Sequence, residues 1–215
     1  MMVDLIGVYG GTFDPIHLGH INAAIEIQQT LGMKEVRMVL SARPPHRRQP
    51  VLSMEQRFEL LTLATENEEK LIADDCEMHR SGPSYMVDTL FQIKQNKPRQ
   101  SLALILGMEA FNGITQWHRW TDLLDLAHIV VTDRAGFDNE WDVSVIKVVE
   151  KHRTFDKAEL KKLTHGKIYR QDVTPIDISA TQIRAIVQQG QSAKHLLSPV
   201  VWAEISNKNL YTQVN

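Results

Sequence analysis

Only one cysteine, Cys76, occurs among the 215 residues, so an internal disulfide is excluded and a reducing, cytoplasmic setting is expected. No His or second Cys flanks it, which leaves a passive thiol, and no segment has the His/Cys spacing of a zinc site. Net charge is also missing: 24 Lys and Arg meet 26 Asp and Glu, so no global field points to nucleic acid or an anionic membrane. Basic residues gather at 43–48, 151–153 and 161–167, and the last two clusters read as solvated surface. The longest apolar run, Leu102–Leu106, falls far below the roughly 20 residues of a membrane span, and no signal peptide is visible. Internal repeats, low-complexity tracts and a Ser–His–carboxylate arrangement are absent as well.

What is present is an ordinary globular composition, 43% apolar and 23% charged, in a length suited to one domain over residues 1–215. Apolar runs of strand length alternate with stretches of helical period. This is the pattern of an α/β, Rossmann-like, doubly wound parallel sheet with a small helical C-terminal part. Strands are predicted at 5–9, 36–40, 71–74, 101–106, 127–132 and 173–178. Helices are predicted over 18–31, where Ile21, Ala24, Ile25 and Gln28 share a face before Gly32, and from the capping box Ser53-Met54-Glu55-Gln56 to Thr65. Others run from Ser84 to Lys94, Ala180 to Gln189 and Pro199 to Asn207, with weakly patterned helix within 137–167.

The densest signal is Gly10-Gly11-Thr12-Phe13-Asp14-Pro15-Ile16-His17-Leu18-Gly19-His20, directly after the first strand. Gly10 and Gly11 let backbone approach a ligand closely, and the helix start offers free N–H groups and a positive dipole end. His17 and His20, at i and i+3, can face one ligand. The combination is a phosphate site with chemistry attached. Thr12 offers a hydroxyl, Phe13 packs, and Asp14 reads equally as a ligand contact or a turn residue. Far downstream, Ile178-Ser179-Ala180-Thr181-Gln182-Ile183-Arg184 joins two hydroxyls, a helix N-terminus and a cation into a second anion site. Pro44-Pro45-His46-Arg47-Arg48 is a stiff basic loop.

These segments, in this order, resemble the nucleotidyltransferase superfamily with its HxGH signature and late ISATQIR signature. The longer forms look most like bacterial nicotinate-nucleotide adenylyltransferases, over about residues 5 to 205. That resemblance implies transfer of AMP from ATP to nicotinate mononucleotide, giving the dinucleotide precursor of NAD and pyrophosphate. It makes His17 and His20 donors to the phosphates, and gives Arg184, with Ser179, Thr181 and Ile178, the β,γ-phosphates. It sets the Phe13 backbone, with Gly10, Gly11 and Thr12, beside the nucleotide, and brings Arg47 to its phosphates. Gly107 and Glu109 fall near the adenosine ribose, where relatives usually have Gly-x-Asp. Arg134 is an adenine or phosphate contact, although Asp133 and Ala135 depart from the family's doubled arginine and proline. The acceptor is read by Ser84, Tyr85 and Met86, where relatives carry Ser-Tyr-Thr, and its ring stacks on Trp117.

Because the attacking group is itself an anionic phosphate, no general base is needed. Mg²⁺ is expected to arrive on ATP rather than on protein ligands. The partners are then ATP and nicotinate mononucleotide, with no nucleic acid or membrane, for a monomer or small homo-oligomer. Competing readings keep the chemistry with nicotinamide mononucleotide or phosphopantetheine as acceptor, or make the chain a nucleotide sensor without turnover. The intact His17, His20 and Arg184 speak against a sensor.

Overall fold

Six parallel strands form one sheet in the order β3-β2-β1-β4-β5-β6, in a computed structural model that describes residues 3–45, 49–134 and 140–212. The strands are β1 Leu5–Gly11, β2 Glu35–Leu40, β3 Leu71–Asp74, β4 Ser101–Gly107, β5 His128–Arg134 and β6 Ile168–Val173. The helices are α1 Leu18–Leu31, α2 Met54–Thr65, α3 Met86–Asn96, α4 Met108–Asn112, α5 Leu123–Leu126, α6 Val143–His152, α7 Glu159–Lys162, α8 Ala180–Gln188 and α9 Pro199–Asn207. This is the doubly wound order, in which the strand sequence reverses between β1 and β4 and ligands lie beyond the carboxyl ends there.

Successive β1 residues feed opposite faces: Leu5 joins the core under α1, α2, α8 and α9, whereas Ile6 and Val8 join the core beneath α3 and α6. The central strand β4 is buried on both faces, which explains its unbroken run Leu102–Leu106. The pairing of β1 with β4 ends at Val8↔Leu104, while its pairing with β2 continues to Gly11↔Leu40. The two central strands therefore part company just before the glycines, and a crevice opens between them. Among the described residues, no helix is long and apolar enough to cross a membrane.

Most elements fall where the residue pattern puts them, with a few displacements. The α1 helix buries Ile27 rather than Ile25 alongside Ile21, Ala24 and Gln28. The third helix starts at Met86, not Ser84, because Ser84 Oγ accepts from the Arg43 amide at 2.9 Å instead of capping. The last strand is Ile168–Val173, not 173–178: Pro175 has no N–H to pair, and the Thr174 amide donates to Glu26 Oε2 at 2.9 Å. Its half-polar pattern, suited to a sheet edge, hid it. The segment 137–167 contains α6 and α7, with Asp142 capping α6 through the Ser144 amide; 137–139 lie outside the described residues.

At the start of β5, His128 is fully buried. Its Nε2 donates to the Leu163 carbonyl at 3.2 Å and its Nδ1 accepts from the Lys167 amide at 3.0 Å, a neutral tautomer fixed on both sides. Burial lowers its pKa to about 4 from 6.5. Because the unfolded chain binds that proton first, stability is full above pH 6.5 and is lost as pH falls toward 4, by a limit on the order of 3 kcal/mol from this group. Urea unfolding at pH 7 and pH 4.5 should show this loss, and His128→Gln should flatten the difference. An equal pH dependence in wild type and variant would remove His128 as its source.

Candidate active site

At the carboxyl end of β1, a side chain on Gly10 would strike the Met86 methyl, and one on Gly11 would come within 2.5 Å of the Phe13 ring. Phe13 is buried with φ 46°, folding its ring under the glycine turn. The N-cap of α1 is His17, whose side chain does not cap the helix. Its ring stacks on that of His20 with centroids 3.7 Å apart and planes at 27°. Gly19 leaves the His17 ring room, since a Cβ there would approach His17 Nδ1 to 3.1 Å. Edge contacts from Tyr9 at 6.3 Å and Phe13 at 5.1 Å hold the half-buried His20 ring. Burial lowers the His17 pKa to about 4, and its Nδ1 has no hydrogen-bond partner among the described residues.

Asp14 resolves as a structural hub. Its carboxylate accepts from the Val51 amide at 2.8 Å, the Leu52 amide at 3.4 Å and the Tyr211 hydroxyl at 2.8 Å. Its carbonyl accepts from Arg184 Nη1 at 2.6 Å. Beside it Arg57, 1% exposed, donates to the carbonyls of Thr12, Ser41, Ala42 and Leu52. Arg184 also donates to Thr181 Oγ1 at 3.2 Å, and Ser179 caps α8 by accepting from the Gln182 amide. The β-carbon of Ile178 lies 3.7 Å from where a Gly19 Cβ would be. Two segments some 160 residues apart in sequence thus meet at one point, with Arg184 joined to the turn before His17.

Two cavities open on this end of the sheet. The larger, about 660 Å³, is lined by Gly19, Gly107, Glu109, Thr132, Asp133 and Ile176 among others. The smaller, about 370 Å³, is lined by Gly10, Gly11, Thr12, Ser84, Tyr85, Met86, Trp117 and their neighbours. Glu109 belongs to both walls. In the smaller cavity the Tyr85 and His118 rings stack at 4.2 Å, and no side chain caps the α3 N-terminus at Tyr85. Arg47 lies outside the described residues, and of Arg134 only the backbone, ending β5, is described. Asp133 is buried against Arg170 at 2.6 Å, so this departure is a paired charge on the wall of the larger cavity. Among the described residues, no group of three or more His, Cys, Asp or Glu could hold a metal ion.

Arg57, Tyr211 and the buried Glu77 are site-building residues that the pattern alone missed. The signal for Arg57 was there: a cation on the same helical face as Leu60 and Leu61. Tyr211 carried none, being a lone aromatic near the end of the chain.

The profile of the Cytidylyltransferase-like family matches residues 8–186. An Aeromonas hydrophila protein named probable nicotinate-nucleotide adenylyltransferase is 38% identical over 98% of this chain and 99% of its own. A Methylococcus capsulatus protein of the same name is 40% identical over 97% of this chain and 100% of its own. Among solved structures, Plasmodium falciparum nicotinic acid mononucleotide adenylyltransferase complexed with NaAD shares the fold, with a TM-score of 0.74 at 20% identity and 97% coverage of either chain.

Burial and the Asp14 charge push the Tyr211 hydroxyl far above its usual range, so it stays a donor at all working pH. Tyr211→Phe removes one bond to a buried carboxylate and should cost about 1–3 kcal/mol in urea unfolding at pH 7. A loss below about 0.5 kcal/mol, the scale of an ordinary surface change, would show that the C-terminal segment does not secure the Asp14 turn.

Proposed function

The chain belongs to the nicotinate-nucleotide adenylyltransferase family, and from that premise we propose that it transfers AMP from ATP to nicotinate mononucleotide by direct in-line displacement. The observation that carries this reading is the meeting of the His17–His20 stack, the α8 N-terminus and Arg184 beside two cavities that share Glu109. A phosphate oxygen of the acceptor attacks the α-phosphorus of ATP. The bond from that phosphorus to the β-bridging oxygen breaks, and pyrophosphate leaves with the electron pair. No covalent enzyme intermediate forms and no base is needed, since the nucleophile is already anionic.

ATP takes the larger cavity, with Glu109 at its ribose and Gly107 at the strand end letting the nucleotide approach. His17 and His20 donate to phosphate oxygens as charge builds at the α-phosphate. A neutral His17 still has one N–H to give, and phosphate nearby raises its proton affinity. Ser179, Thr181, Ile178 and Arg184 receive the β,γ-phosphates at the α8 N-terminus. Mg²⁺ brought in on the triphosphate would neutralise part of its charge, while the imidazole, hydroxyl and guanidinium groups here would meet the phosphate oxygens.

Nicotinate mononucleotide takes the smaller cavity, its ring on Trp117 and its carboxylate toward the uncapped α3 N-terminus beside Ser84, Tyr85 and Met86. Backbone N–H donors favour an acid over an amide, whatever side chain stands at 86. Arg47 and Arg134 complete the phosphate and adenine contacts in this reading.

Pyrophosphate release with Mg-ATP should be strong with nicotinate mononucleotide and weak with nicotinamide mononucleotide. His20→Ala should lower kcat by about 10²–10³ with a folded protein retained. Equal use of the two acceptors would move the specificity assignment, and no release with either would leave a nucleotide-binding protein without turnover.

A further inference from the structure

We propose that Glu77, acting through Thr89 and Arg80, is a positioning residue for the acceptor, holding the two walls of the smaller cavity in register. This rests on the acceptor reading of that cavity. Glu77, 3% exposed, sits just after β3, and Thr89, fully buried, sits on the first turn of α3. Thr89 Oγ1 donates to Glu77 Oε1 at 2.5 Å and accepts from Arg80 Nη2 at 2.7 Å, so one hydroxyl bridges a carboxylate and a guanidinium. Arg80 Nη2 is itself 3.6 Å from Glu77 Oε1. Both bonds of the hydroxyl are charge-assisted and the one to Glu77 is buried, a setting in which a hydrogen bond fixes geometry firmly.

The bridge extends to the facing wall. The Arg80 carbonyl accepts from Arg43 Nη1 at 2.8 Å. Arg43 and Ser84 then exchange two bonds, the Arg43 amide to Ser84 Oγ at 2.9 Å and the Ser84 amide to the Arg43 carbonyl at 2.9 Å. Ser84, Tyr85 and Met86 line the cavity on one side, and Ser41, Pro44 and Pro45 on the other. Ser84 is thereby spent on the other wall rather than on capping α3, which leaves the helix N-terminus open.

Glu77 does more than fill space in the core. It lines the cavity itself, and its Oε2 is buried without a hydrogen-bond partner among the described residues. A carboxylate kept only for packing would have both oxygens satisfied. Its charge also opposes an anionic group at that end, so the acceptor's carboxylate is directed to the α3 N-terminus instead.

The test is steady-state kinetics of Thr89→Val, which keeps shape and deletes the hydroxyl, with Thr89→Ser as rescue and Glu77→Gln as a second route to the same defect. Thr89→Val and Glu77→Gln should raise the KM for nicotinate mononucleotide about tenfold, with KM for ATP and kcat within about twofold and Thr89→Ser near wild type. An acceptor KM within about twofold of wild type in both variants, or both substrates' KM values rising together, would overturn the proposal. Wild type in the same assay separates the two readings. If it rejects nicotinate mononucleotide, the acceptor assignment fails. The split is then read on whichever phosphate acceptor is used or, with none, on nicotinate mononucleotide affinity followed by tryptophan fluorescence.

Discussion

The whole ligand-facing end of the sheet depends on one buried cation. Taking a guanidinium out of water costs several kcal/mol unless its donors are met. Arg57 places four of its five N–H donors on carbonyls, drawn from the turn after β1, the turn after β2 and Leu52 just before α2. Those turns carry Thr12 on one side and Ser41 and Ala42 on the other, so neither can shift without stranding the charge. Asp14 lies beside this cation, taking amides from Val51 and Leu52, and adds the last helix region through Tyr211 and the second phosphate motif through Arg184. Distant pieces of sequence are thus tied to one rigid centre.

On that frame the helices divide into two kinds. Of those longer than eight residues, α2, α6, α8 and α9 have their first amides met by a side chain, from Ser53, Asp142, Ser179 and Ser198. The two without such a cap are α1 and α3, whose N-cap positions hold His17 and Tyr85. Both begin beside a cavity, α1 at Gly19 and α3 at Tyr85 and Met86. Unmet N–H groups at a helix start are costly unless something binds them. Backbone meets part of that need, the Leu18 amide donating to the Leu196 carbonyl at 3.1 Å and the His20 amide to the His17 carbonyl at 2.9 Å in α1, and the Asp88 amide to the Tyr85 carbonyl at 3.1 Å in α3. The divergence of β1 from β4 beyond Val8 and Leu104 supplies the room for a ligand.

The sequence revealed the parts of this protein whose physics is local. Gly32 ending α1, the Ser53 capping box, Pro199 starting α9 and the apolar run of β4 all follow from short patterns, and each element sits where those patterns put it. The glycine turn, His17, His20 and Arg184 stand out in short patterns for the same reason, and folding brings them to one end of the sheet. What escaped notice was set by distant partners. Strand β6 is half-polar because it is an edge, and only its pairing with β5 defines it. The helix expected from Ser84 begins at Met86, because Arg43, 41 residues away, claims the Ser84 hydroxyl. Tyr211 matters only because folding brings it to Asp14, 197 residues earlier.

The charge of the site follows from the same arrangement. Two imidazoles stacked at 3.7 Å cannot both be protonated cheaply, since unit charges about 4 Å apart repel by about 4 kcal/mol at an effective dielectric of 20. Burial already keeps His17 neutral down to about pH 4. His17 is therefore a neutral donor, which avoids the desolvation cost of a buried imidazolium at that position. A permanent charge nearby is Arg184, held by the Asp14 carbonyl at 2.6 Å and Thr181 Oγ1 at 3.2 Å, with the Asp14 carboxylate a longer ion-pair partner at 3.9 Å. The Asp14 carboxylate thus offsets this charge only in part, which leaves positive potential for an arriving triphosphate. The buried ion chemistry, spent on Arg57 and Asp14, keeps the loops still so that this half-buried charge stays aimed.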